Sequence, residues 1–294
     1  MSQPTATSKL ESVEAERVRL AITRLQALPA FFPTVQKALR LLDDPGSSNV
    51  EIQRVIASDA AVTARLLQLA NSAYFGFRNR VSTVSLALTL VGHVRVATLM
   101  RRFLLDELMQ MLSGRKPAAR QIRELSQVTA AAAHNIAERL LRDDREEVLL
   151  AGLLHNIGEL MLLSEFRELY EQSQRLEKTM AAAQARRMVF GVDSNIVGRW
   201  LLEAWELPEY FCATVEHWPD PWAVRFPAAP AAVIAMVHAG RLLAEAWIAE
   251  RPTGEVRDSF SPRLLSTLEV DREFLADLYE QLGKEVDRVQ HPLT

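Results

Sequence analysis

Apolar residues recur at helical spacing almost from one end of this chain to the other, and that repeat limits what it can fold into. Ile52, Val55 and Ile56 stand at i, i+3 and i+4, and Val62, Leu66, Leu69, Ala70 and Ala73 continue the stripe on a following segment. Start signals sit where the stripes need them. Ser48 precedes Glu51 by three residues as a capping box, Asp59 can cap the next helix, and Pro33 and Pro208 occupy places where first-turn prolines are tolerated. Stops are expected at Asp43-Asp44-Pro45-Gly46 and at Gly76, Gly92, Gly114, Gly191 and Gly254. No alternating strand with hairpin chemistry competes. Val81 to Val84 reads as the approach to a helix over Ser85–Val91, and the last helix is expected from Asp271 to about Val289, after a loop over Arg251–Pro262. The chain is therefore all-α, with twelve to fifteen helices expected in 294 residues. The polar stretch Ser113-Gly114-Arg115-Lys116-Pro117 predicts a junction, giving an N-terminal helical bundle over 1–114 and a second helical domain over 115–294.

Composition narrows the function classes. Lys and Arg number 34 against 37 Asp and Glu, for a net charge of -3, which disfavours a broad nucleic-acid-binding surface. A single cysteine, Cys212, excludes an internal disulfide framework and predicts a reducing, cytoplasmic setting; on its apolar helix face it reads as core and not as a nucleophile. The acidic and basic residues of the first twenty positions leave no signal-peptide core, and no uninterrupted apolar run predicts a membrane span. None of the 11 glycines forms G-x-G, and neither G-x-S-x-G nor a P-loop lysine is present, so the common nucleotide-binding and hydrolase signatures are missing. Between His93 and Glu124 seven basic residues, Arg101 and Arg102 among them, face three acidic ones. A solvated face and a polar hinge account for this run, with an anionic second messenger or nucleic acid as the weaker reading.

The segment Asp59-Ala60-Ala61-Val62-Thr63-Ala64-Arg65-Leu66-Leu67-Gln68-Leu69-Ala70-Asn71-Ser72-Ala73-Tyr74-Phe75-Gly76 carries a more specific signal. With Leu28-Pro29, Leu88 to Gly92, Ala151 to Gly158 and Phe190 to Asp193, it resembles the HDOD family, the HD-related output domain of bacterial signalling proteins; Ala60 departs from the proline usual there. The resemblance implies a helical bundle packed on an HD-type helical domain. In that signature Asn71 and Ser72 suit capping and packing, and Arg65, Asn71 or Tyr74 could alternatively meet a partner.

The same resemblance puts His155-Asn156 at the place of the His-Asp doublet that holds the metal in HD enzymes. Carried over by position, the earlier histidine becomes Leu125, the doublet carboxylate becomes Asn156 and the later aspartate becomes Gly240, with His217 at a place where some versions carry a further histidine. Two imidazoles without a carboxylate make a poor site for zinc, magnesium or manganese, so no cofactor or metal and no catalytic residue is expected. His155, among leucines, is expected to be buried and neutral. Trp218-Pro219-Asp220-Pro221-Trp222 reads as a stiff, partly exposed turn, and Trp218 and Trp222 are the expected recognition residues. The resemblance thus implies a non-catalytic regulatory module in signal transduction, meeting signalling proteins in trans; a homo-oligomer and a small-molecule or cyclic-nucleotide ligand stay open. The alternative is a metal-dependent HD-type phosphohydrolase acting on a nucleotide or cyclic dinucleotide through His155.

Overall fold

The computed structural model describes residues 6–24, 31–72, 80–113, 117–142, 144–223 and 228–290. Those residues form seventeen helices and no strand, so the chain is all-α. The count exceeds the sequence expectation for two local reasons. The apolar run around residue 155 breaks into two helices at His155-Asn156, and the stretch expected as a loop before the final pair holds a short helix, Thr253–Ser259. Gly254, expected to stop a helix, lies in the first turn of that one. Tyr74, Gly76 and Gly114 lie outside the described residues.

The chain divides into two compact units: a larger one of residues 1–26 and 109–286, and a smaller one of residues 27–108 and 287–294. This differs from a division at residue 114. The first helix, α1 (Ala6–Arg24), packs on α11 (Ala182–Phe190) and α12 (Ser194–Ala204) of the larger unit, burying Val18 and Ile22 and setting Arg19 4.2 Å above the Trp200 ring. Such long-range pairing leaves no local trace in sequence.

In the smaller unit α2 (Phe32–Asp43), α3 (Asn49–Ala57), α4 (Ala60–Ala70), α5 (Val84–Leu90) and the start of α6 (His93–Ser113) bury Phe32, Val35, Ile52, Ile56, Val62, Leu66, Leu88 and Met100. Caps fall as the sequence requires: Ser48 and Glu51 form a reciprocal capping box, and Asp59 accepts from Ala61 and Val62 N–H. The larger unit is organised on α7 (Pro117–Arg139), which runs against α8 (Arg145–Leu154) and α14 (Ala228–Ile248). Around it lie α9 (Ile157–Glu165), α10 (Arg167–Leu176), α13 (Glu209–His217), α15 (Thr253–Ser259), α16 (Pro262–Leu268) and α17 (Arg272–Gln290). Two segments, Glu147–Glu165 and Pro230–Ile248, are long and apolar enough to cross a membrane by composition; they are 83% and 56% buried in the fold.

Glycines set how closely these helices approach. A Cβ on Gly158 would lie 1.8 Å from Ser194 O, and one on Gly152 2.6 Å from Ala130 Cα, so α9 meets α12 and α8 meets α7 backbone to backbone. Helix ends are handled differently. Leu141, Glu206, Glu250 and Glu269 all take left-handed backbone (φ 51° to 57°) where glycine is usual. At Leu141 the Schellman bonds are complete, from Arg142 N–H to Ala137 O and from Leu141 N–H to Glu138 O, both at 3.0 Å, while the side chain is 88% exposed. The backbone strain there is offset by no burial. Leu141→Gly is therefore expected to raise stability by about 1 kcal/mol, measured by urea unfolding; an unchanged or lower midpoint would contradict this account.

Candidate functional site

His155 ends α8 and Asn156 begins α9, so the doublet occupies the corner between two apolar helices and both residues are buried. His155 Nδ1–H donates to Gly152 O at 2.6 Å, which leaves Nε2 as the acceptor. That acceptor is taken: Arg241 Nη1 donates to it at 3.0 Å. The same guanidinium pairs through Nε with Glu245 at 2.8 Å and lies 5.0 Å from the Trp218 ring centroid, while the His155 and Trp218 rings meet edge to face at 5.0 Å. Burial, with Arg241 beside it, pushes the His155 imidazole down to about 3. The expectation of a buried, neutral histidine agrees with this geometry.

A metal would need donors that this corner does not offer. Leu125, half-buried on α7, has none, Asn156 offers a neutral amide, and the His155 lone pair already meets a cation. Gly240 not only lacks a side chain but sits where none fits. A Cβ there would be 2.8 Å from Thr129 O and 2.9 Å from Ala133 N, because α14 lies directly on α7. Among the described residues no group of three or more His, Cys, Asp or Glu could hold an ion. The residues present do not fit the metal of HD enzymes, and Arg241 supplies a fixed positive charge beside the imidazole.

The turn after α13 is pinned to this corner. Trp218 O accepts from His238 Nδ1 at 2.9 Å, the His238 ring meets Trp222 edge to face at 5.6 Å, and Arg263 lies 5.0 Å from the Trp222 centroid. Trp222 Nε1 donates to Thr267 Oγ1 at 3.3 Å, and Trp222 N–H to Asp220 Oδ1 at 3.1 Å. Trp218 and Trp222 are each half-buried between an arginine and a histidine, in a turn that is partly exposed as expected. His217 lies 3.4 Å from Glu216. Cys212 is buried, and burial pushes its thiol up to about 11, which suits a core residue.

The remaining expected residues lie in the smaller unit. Asn71 Nδ2 donates to Leu67 O at 2.6 Å and Val81 O at 2.7 Å, and Oδ1 accepts from Val81 N–H at 2.7 Å, so it staples the end of α4 to the approach to α5. Arg65 donates to Gln68 at 2.9 Å, its guanidinium 6.0 Å from the Phe103 centroid. Arg101 forms a bidentate pair with Asp43 at 2.6 and 2.7 Å, which cancels one charge of the basic run; Arg102 is half-buried and interacting. Arg241 and His238 were not singled out in sequence as contact residues. Their signal was slight: both flank Ala239-Gly240, and only the fold shows which way they turn.

Because His155 binds a proton in the unfolded chain below pH 6.5 but in the folded chain only near 3, its contribution to stability is present above 6.5 and lost as the pH falls towards 3. Urea midpoints of the natural protein should fall through that window, and His155→Gln should flatten the fall. Equal slopes would remove His155 from the acid response. Arg241→Ala strands a buried imidazole acceptor and should cost roughly 1–3 kcal/mol at neutral pH.

A curated relative from Treponema pallidum (strain Nichols), an uncharacterized protein, is 26% identical over 214 residues, which are 72% of this chain; the chain spans 40% of that relative's length. Three crystal structures share the fold. An HDOD domain protein of unknown function from Geobacter sulfurreducens is 22% identical with a TM-score of 0.69, covering 94% of this chain and 98% of its own. A candidate phosphohydrolase from Shewanella amazonensis SB2B is 18% identical with a TM-score of 0.67, over 93% and 97% of the two chains. A candidate signal transduction protein from Marinobacter aquaeolei VT8 is 21% identical with a TM-score of 0.67, over 96% and 65%. Residues 28–221 match the HDOD domain, and they include the Asp59–Ser72 signature, the His155-Asn156 corner and the glycine-spaced helices around it; the chain belongs to the HDOD family.

Proposed function

We propose that this HDOD chain is a non-catalytic regulatory protein of signal transduction, working in the cytoplasm through contacts with other proteins. One observation carries the reading: the lone pair of His155 that would face a metal is bonded to the Arg241 guanidinium. An activated water on an HD-type enzyme needs a cation held by several donors. Here the retained imidazole serves as a hydrogen-bond acceptor inside the core, and a divalent ion approaching it would meet a like charge. The HD scaffold then offers what remains to a rigid helical protein, which is surface. The candidate signal transduction protein of the same fold is compatible with such a role. The candidate phosphohydrolase of equal likeness names the rival, in which this chain would hydrolyse a nucleotide or cyclic dinucleotide.

Elemental analysis of protein purified without chelators or affinity-tag metals separates the two. Well under one divalent ion per chain is expected. Hydrolysis of bis(4-nitrophenyl) phosphate or a cyclic dinucleotide should stay at background with added magnesium, manganese or zinc. One tightly held ion per chain, with turnover lost in His155→Ala, would replace the regulatory reading with the hydrolytic one.

A further inference from the structure

Seven large apolar side chains are prominently exposed among the described residues, and three of them gather at one end of the smaller unit. Val50 is 63% exposed, Leu90 46% and Val94 74%. His93 Nε2 donates to Asn49 Oδ1, joining the first residue of α6 to the first of α3, so Val50 and Val94 flank that bond. Leu90 closes α5, which packs on α3, and Gly92, at φ +85°, turns the chain from α5 into α6. The core beneath is already filled by Ile52, Ile56, Leu88 and Val96, all buried. Scattered exposed apolar residues are ordinary; three at the joint of three helices form a patch.

Arginines outnumber carboxylates on the stretches of α3 and α6 that carry Val50 and Val94. Arg54, a turn along α3 from Val50, and Arg95, next to Val94, are both exposed. Glu51, the one carboxylate of α3, is exposed beside Arg54 and accepts from Ser48 N–H at 2.9 Å and Ser48 Oγ at 2.8 Å. The imbalance extends to the whole unit. Residues 27–108 and 287–294 hold ten Lys and Arg against seven Asp and Glu, whereas the larger unit holds 24 against 30.

We propose that this end of the smaller unit is a docking surface for an acidic amphipathic helix of a partner protein, its apolar face on Val50, Leu90 and Val94 and its carboxylates towards Arg54 and Arg95. This rests on the protein-contact reading and names the surface. Three side chains at a helix joint match the two or three anchors that a helix presents at i, i+3 and i+4, and the basic rim selects the flanking charge. Opposite charge at the rim speeds encounter and rejects basic partners.

The test uses the full chain with methyl-labelled valine and leucine, titrated with a synthetic helical peptide carrying leucines at that spacing and flanking glutamates. A second peptide has lysines in place of the glutamates. The Val50, Leu90 and Val94 methyl signals should move with the acidic peptide, roughly tenfold more weakly with the basic one, and less at high salt. V94D should abolish the shifts while leaving the buried Val62 and Leu66 signals in place, which confirms its fold. R54E/R95E should invert the charge preference. Silence at the patch, or an equal response to both peptides, overturns the proposal. Signals that instead move with protein concentration alone overturn it in favour of a second copy as the occupant. A metal-bound, hydrolytic protein would defeat the regulatory reading by a separate measurement, whereas a failed titration defeats only this surface.

Discussion

The closeness of α7 to its neighbours is the constraint on which the larger unit depends. Gly152 lets α8 lie on Ala130, and Gly240 lets α14 lie on Thr129 and Ala133, so one helix is held at backbone distance on two sides. The second of these contacts takes the space that a carboxylate on α14 would fill. The glycine that tightens the core leaves no room for an acidic side chain at this position.

Two charged or titratable groups left in that core, His155 and Arg186, are paired in ways that suit structure. His155 donates on one side and accepts on the other, and Arg241 joins α14 to the corner between α8 and α9 and to the Trp218 turn. A comparable device joins α9, α10 and α11, where buried Arg186 on α11 donates to Glu159 of α9 at 3.1 Å and to Ser173 of α10 at 2.6 Å, and pairs with Glu177. Buried charges of this kind add little net stability, but removing one partner is costly, so they fix which helices meet. Rigidity gained this way favours a surface that presents fixed contacts.

The smaller unit follows another logic. Its signature residues act within the unit: Asp59 caps α4, Asn71 ties α4 to residue 81, and Arg65 lies by Phe103. Among the described residues its exposed large apolar side chains are Val50, Leu90 and Val94, on α3, α5 and α6.

Much of this was legible in the chain itself, because helical periodicity, capping and positive-φ turns are set by neighbours a few residues apart. Ile52, Val55 and Ile56, the Ser48–Glu51 box and the Asp59 cap fixed α3 and α4, and Gly191 closes α11 in left-handed backbone as a C-terminal glycine should. The family resemblance also pointed to Leu125, Asn156 and Gly240 as the places to inspect. Only the tertiary structure decided that α1 joins the larger unit, that the side chain of Arg241 reaches His155, and that Trp218 and Trp222 are stacked under arginines. Those outcomes depend on which helices approach although far apart along the chain, 86 residues for His155 and Arg241, and on the direction a long side chain takes once they do.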